Sequence, residues 1–425
     1  MRRLVWGLFL VGLLLQLLLV VRAWRAWPSY PAQRGNSIVS DVIWFNELTV
    51  KFLKAPRVVA SWKKTGRAAD IPGSTLPIIL SAPVMATHDL RASVFAVVLF
   101  HVAAGALLVT TLVRAFGDRF TAVYLAVFWL SPWRLFHSGF VWEPNLLVLP
   151  AAAHVWACWT SREAPSRHAS LALGAVLVLT FQIHFSAMFL ALLTGLLLLR
   201  KQLKISWPFF LAGVAAGSLP LVPTVIALFH GTLLTGSSEG GFLGRGFVYI
   251  LPLVRALLSW VRMGSLDVGR MNATDCVSCA SVALGGGAAD AFWCFVYRAS
   301  GMLGQASVLV ALAAGWWWLR RSRAPDRPAP ERWLSAYSWN ALFALVLAAG
   351  FSPITLQTWH VAIAAPAACL PVTAWINACW PFERRWVRAL VVVFLLARVP
   401  FAVLLAFEYP AFCFVSEEIG RKIQD

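Results

Sequence analysis

Two carboxylates stand apart in this 425-residue chain. Asp41 and Glu47, in NSIVSDVIWFNELTVKF (36–52), are the only acids between Arg22 and Ala69, a segment that holds nine Lys and Arg residues. A carboxylate held among cations beside apolar surface suits general-base work: it takes the proton of an acceptor hydroxyl while neighbouring cations steady an anionic lipid phosphate. A plainer reading stands beside that one. Asp41 follows Ser40 at the start of a helical pattern, and an acid in a first helical turn gains from the helix dipole whether or not it reacts.

Three further stretches carry polar groups inside apolar surroundings. SPWRLFHSGFVWEPN (131–145) brings Arg134, His137, Trp142, Glu143 and Asn145; FQIHFS (181–186) brings Gln182 and His184; LQTWH (356–360) brings His360. Buried polar groups are costly unless paired, so these should pair with one another or with a ligand. Any one of them alone also fits a helix cap or a snorkelling side chain. Arg245, Arg255, Arg262 and Arg270 are candidates for bidentate phosphate contact, or for plain attraction to lipid headgroups. No tight His spacing such as H-x-x-x-H occurs, so neither a required metal nor any other cofactor is expected, although His137, His184 and His360 share a face with acids. Cys276 and Cys279 in DCVSC leave three readings open: a disulfide, a redox pair or two free thiols, with Cys294 and Cys413 as alternative partners.

Composition sets the elements that must position these groups. With 60% hydrophobic residues, 13% charged and a mean hydropathy of +0.73, the chain is no soluble globular domain. Eleven apolar runs recur: about 4–21, 92–113, 120–136, 144–160, 170–183, 185–199, 207–229, 302–319, 334–351, 360–380 and 388–406. Crossing a bilayer takes roughly 20 apolar residues, so the expected fold is an all-α polytopic membrane protein of about eleven transmembrane helices, within a range of about nine to thirteen. The first run extends to Val21 without a small-residue cleavage pattern, as a retained signal anchor does. From Asp41 to Lys54 apolar residues repeat at helical spacing, which predicts surface helices in the first long loop.

Charge gives the orientation. Placing Arg2 and Arg3 in the cytoplasm puts Arg114 and Arg119, Arg162 and Arg167, Arg200 to Lys204, Arg320 to Arg332, and Arg384 to Arg388 in loops on that same side. Much of the net charge of +18 is therefore orientation signal, and nucleic acid need not be a partner. Residues 22–91 and 231–300 then fall outside the cytoplasm with Asp41 and the polar stretches. A transporter or flippase of a lipid-linked saccharide would share many of these features. Such folds favour internal repeats and midplane sites, whereas the polar residues here gather at one face.

The order of Asp41, DIPGSTLP (70–77), SPW…W-x-P-N (131–145) and Q-x-H (182–184) resembles the GT-C class of membrane glycosyltransferases. The likeness is to the bacterial relatives of protein O-mannosyltransferases and of the lipid A aminoarabinose transferase, and it is clear over residues 1–230. It implies a catalytic transmembrane module over 1–230 including loop 22–91, a second outer loop over 231–300, and C-terminal helices over 301–425. The activity implied is transfer of a sugar from a polyprenyl-phosphate donor to a lipid, glycan or protein hydroxyl outside the bacterial inner membrane. Asp41 matches the family's base. Glu47 stands six residues on, where many members carry an adjacent Asp-Glu pair. Gln182, His184, Trp142 and Asn145 match the polar pattern around the family's cavity, and Arg134, His137, His360 and Arg245 join them as substrate-binding candidates. An O-antigen ligase or polymerase is the enzymatic alternative; it would not need this motif order.

Overall fold

The computed structural model describes residues 1–26, 45, 48–54, 60–63, 71–230, 250–266, 288–352 and 358–401. Helices dominate: α1 Arg2–Ala26, α2 Thr75–Thr87, α3 Val94–Tyr124, the short α4 Pro132–Phe136, α5 Val148–Thr160, α6 Arg167–Phe181, α7 Ala187–Leu199, α8 Trp207–Ser218 and α9 Val222–Phe229. They continue with α10 Leu251–Met263, α11 Ala288–Arg321, α12 Ala329–Phe351, the short α13 Ala365–Ala368, α14 Leu370–Cys379 and α15 Arg385–Leu396. The strands described, β1 Ser61–Lys63 and β2 Ile71–Pro72, form a small antiparallel ladder. Residues 48–54 are helical as the amphipathic pattern predicts, and Phe45 is fully buried.

Helix occupies the described part of every apolar run, yet six helices among the described residues are long and apolar enough to cross a bilayer. α2, α6 and α7 are apolar but shorter. Part of the difference from eleven has a local cause. Leu90–Trp129 reads as one span of 40 residues, but Gly117 breaks it with φ 81° and ψ 176°, a conformation open essentially to glycine alone. The two arms fold back on each other. A Cβ placed on Gly105 would lie 2.7 Å from the ring of Trp129, whereas a straight helix would separate the two residues by about 36 Å.

Close packing fastens the bundle. α6 and α8 meet through glycines: an added Cβ on Gly213 would fall 2.0 Å from Leu171 O, and one on Gly174 2.2 Å from Phe210 O. Small residues of this kind let membrane helices approach to backbone contact. α1 and α3 meet around Trp129, whose ring stacks on Phe9 at 5.1 Å while its indole N–H donates to Phe9 O. α5, α7 and α12 are joined by His154. Thr194 spends its hydroxyl proton on Leu190 O, so it accepts from His154 Nε2, and Tyr337 O–H donates to Nδ1 at 2.9 Å.

One end of the bundle is basic. Arg119 donates to Asn377 Oδ1 and O, Lys204 N to Ser161 O, and Trp159 packs on both Phe116 and Trp333. The turns bearing Arg114 and Arg119, Arg162, Lys201 and Lys204, and the α12 start therefore lie together. α10 falls inside the segment read as a second outer loop. It packs within the bundle against α11, α12 and α13, with Ala256 and Met263 buried.

Candidate active site

The polar stretches converge on the end opposite the basic turns. α3 runs through a π-turn, Leu125–Trp129, and Ser131 then caps α4 by accepting from Trp133 N. Ending the helix there leaves carbonyls without helical partners. Arg134 answers one of them: Nε donates to Trp129 O at 2.8 Å, Nη1 to Gln16 Oε1 and Nη2 to Gly12 O, with the guanidinium 3.8 Å above the Trp129 ring. Its work in this arrangement is to clamp α1. Gln16 completes the clamp by donating to Ser138 O.

Asn145 is the centre of the next layer and is fully buried. Its amide nitrogen donates to Phe140 O, so Oδ1 faces His137 and accepts from Nδ1 at 2.8 Å. The hydrogen bond therefore fixes the tautomer. Burial pushes the His137 pKa down to about 4, against a smaller opposing effect of Asn145, so the ring is neutral at ordinary pH. Trp142 and Trp133 flank that ring at 6.1 and 6.4 Å. His101, in the middle of α3, donates from Nε2 to Asn145 O at 2.9 Å. Sequence reading passed over His101 because it lies inside an apolar run; a lone imidazole within a span was itself the signal.

Gln182 joins the end of α6 to two other segments. Its Oε1 accepts from Thr75 Oγ1 at 2.7 Å, and its Nε2 donates to Gly217 O at 2.7 Å. Gly217 O is left over where α8 gives way to the turn Leu219–Leu221, because Pro220 brings no N–H. Just above, Gly73 N and the Thr224 hydroxyl share Ala60 O and each other, which ties the β1–β2 segment to the start of α9. Residues 71–77 are thus a strap fastened to the bundle at Gly73 and Thr75. Gly73 takes φ +79° there, and a Cβ on it would sit 2.5 Å from Gln182 Oε1.

His184 and His360 face each other with ring centroids 5.4 Å apart. Ser186 N donates to His184 Nδ1, and Ser186 Oγ donates to His360 O. His360 belongs to the 3-10 turn Thr358–Ala364, which packs on the turn Glu143–Leu147 that carries Asn145. The structure therefore gathers Asn145, His137, Trp142, His184 and His360 into one adjoining group, with Gln182 two residues from His184. Asp41, Glu47, Arg245, Arg270, Cys276 and Cys279 lie outside the described residues. On α10, Arg255 is exposed and Arg262 half-buried. Among the described residues no group of three His, Cys, Asp or Glu is placed to hold a metal.

Arg398, within the last apolar run, was also missed. Fully buried, it donates to Val127 O, Phe394 O and Gly264 O, bridging the ends of α3 and α10.

Comparison with solved structures decides the fold. The crystal structure of ArnT from Cupriavidus metallidurans bound to undecaprenyl phosphate aligns over 96% of this chain and 78% of its own, with a TM-score of 0.50 and 11% identity. The chain has a GT-C fold. That agrees with the motif order, and it extends the likeness beyond residue 230 to nearly the whole chain. No protein-family profile and no curated protein sequence matches it.

Proposed function

We propose that the chain is a GT-C glycosyltransferase of the bacterial inner membrane, moving a sugar from a polyprenyl-phosphate donor to a hydroxyl on the extracytoplasmic side. The observation that carries this reading is the fold, held over 96% of the chain in common with a protein bound to undecaprenyl phosphate. The gathering of Asn145, His137, His184 and His360 at the end opposite the basic turns supports it, since positive loops stay cytoplasmic.

In this reading Asp41 is the base. Displacement at an anomeric carbon with inversion needs a carboxylate on the acceptor side and charge stabilisation of the leaving phosphate, as inverting glycosidases show for the first half. Arg245, Arg255, Arg262 and Arg270 are the candidates for the phosphate. His137 is neutral and steadies Asn145 through its Nδ1 hydrogen bond. No step is assigned to Glu47 or to a metal. The acceptor is a cell-envelope glycan, lipid A or a protein.

The test is sugar transfer from labelled polyprenyl-phosphate donors in membranes, with Asp41→Asn compared at matched expression. Loss of transfer with donor binding retained is the expected result. Normal transfer by Asp41→Asn removes the base assignment, and no transfer by wild type from any donor turns the reading toward a saccharide transporter.

A further inference from the structure

Away from the candidate active site, a cavity of about 310 Å³ lies between α10, α11, α12 and α14. Trp260, Gly264, Gly315, Trp316, Trp318 and Ser338 are among the residues that line it, and its surface is overwhelmingly apolar. It begins near the basic end, since Trp318 precedes Arg321 by a single helical turn, and reaches inward to Ala311, about 11 Å further along α11. One side is open to the bilayer, where Leu312 and Trp316 are 50% and 58% exposed.

Three features of this groove ask for more than hydrocarbon. At its mouth the Arg320 guanidinium stands 4.8 Å from the Trp316 ring centroid. Its neighbour Arg321 is paired with Asp326 and Glu331, whereas among the described residues no carboxylate pairs with Arg320. The adjoining linker RRSRAPDRPAPER (320–332) carries five arginines against those two acids. Within the wall, Trp318 Nε1 and Ser338 Oγ are buried with no hydrogen-bond partner among the described residues. Both residues line the groove, and an ester carbonyl is the kind of acceptor or partner these two groups lack.

We propose that this groove holds one acyl chain of an anionic glycerophospholipid from the leaflet at the basic end, with its phosphate at Arg320 and its ester carbonyl toward Trp318 and Ser338. The bilayer supplies such a lipid at that depth. Basic residues next to a span attract anionic headgroups at close range and lose that attraction within a Debye length, so the headgroup must sit at the mouth. A polyprenyl tail would fill the apolar wall but brings no ester carbonyl.

Gly315 gives a clean way to close the groove. A Cβ added there meets nothing within 4 Å, so a larger side chain can start from the groove wall without strain at its first atom. The experiment uses purified, delipidated full-length chain in detergent. Phosphatidylglycerol, phosphatidylcholine or undecaprenyl phosphate is added, with bound lipid read by native mass spectrometry and thermal stability alongside. Phosphatidylglycerol is expected to be retained at one copy and to raise the melting temperature. Gly315→Leu should abolish both effects while leaving the lipid-free melting temperature unchanged or higher, and Leu312→Trp provides a second occluding variant. Arg320→Gln should cut the preference for phosphatidylglycerol over phosphatidylcholine by about fivefold. Unchanged phosphatidylglycerol binding in both occluding variants overturns the proposal. So does a groove that only undecaprenyl phosphate fills. Because binding is read without sugar transfer, either result stands apart from the transferase reading.

Discussion

Thr75 donates its hydroxyl to Oε1 of Gln182 across 2.7 Å, joining residues 107 positions apart. The other end of the same amide donates to Gly217 O. Both ends of the Gln182 amide thus help to hold the strap before α2 and the broken end of α8. Gln182→Leu leaves the Thr75 hydroxyl and Gly217 O buried without their partner, at a cost of about 1–3 kcal/mol. The thermal half-life of the detergent-solubilised protein should fall accordingly. Combining it with Thr75→Val should cost less than the sum of the single changes, because the two share one hydrogen bond. Additive losses would show that the bond contributes nothing.

His137 gives a pH prediction with a definite sign. Its pKa drops from 6.5 to about 4 on folding, so the unfolded chain binds the extra proton first. Its share of stability is complete above pH 6.5 and is lost as pH falls from there toward 4, at a total of about 3 kcal/mol. The Nδ1 hydrogen bond to Asn145 survives protonation; what is lost is the advantage of keeping an uncharged ring in a dry site. Melting temperature followed from pH 7 to 4.5 should decline less steeply in His137→Asn, whose amide can replace the Nδ1 donor, than in wild type. Parallel profiles would remove the assignment.

Much of this organisation was legible in the chain, and the residues that were not share a physical reason. Apolar runs mark the helices because the bilayer demands about 20 such residues in a row. The polar stretches at 131–145, 181–186 and 356–360 were visible as exceptions to that rule, and they do meet. What the pattern could not supply was partnership. Arg134 reads as a ligand candidate, yet its donors go to Gly12 O, Gln16 and Trp129 O, and two of those partners are more than 100 residues away. Gly117 reads as one glycine among 28, and only its φ shows that the chain turns back there.

Gly213 offers the sharpest packing test. The Cβ of an alanine there would lie 2.0 Å from the backbone oxygen of Leu171, so α6 and α8 must separate before it fits. Backbone cannot yield as the end of a flexible side chain does. Overpacking of this kind costs about 1–3 kcal/mol or more. Gly213→Ala should lower thermal stability and the yield of monodisperse protein, whereas Gly195→Ala, whose added Cβ meets nothing within 4 Å, should leave both unchanged. Equal behaviour of the two variants would mean that the α6–α8 contact is looser than the structure has it.

Arg398 carries the last prediction. Val127 O lies in the π-turn that ends α3; Ser131 N is spent on Phe128 O, and residue 132 is proline, so the helix itself offers Val127 O no donor. Arg398 Nε fills that place at 3.2 Å while Nη2 takes Gly264 O at the end of α10. A cation between two helix C-termini is favoured by both dipoles, which matters where no water can screen or replace it. Arg398→Met removes the charge and leaves two helix-end carbonyls unpaired, at about 1–3 kcal/mol for each. Arg398→Lys keeps the charge but lacks the planar fork that reaches both ends, so it should recover only part of the loss. Thermal stability should rank wild type above Lys above Met. A lysine variant as stable as wild type would show that charge alone suffices, and a methionine variant as stable would show that the carbonyls find other partners.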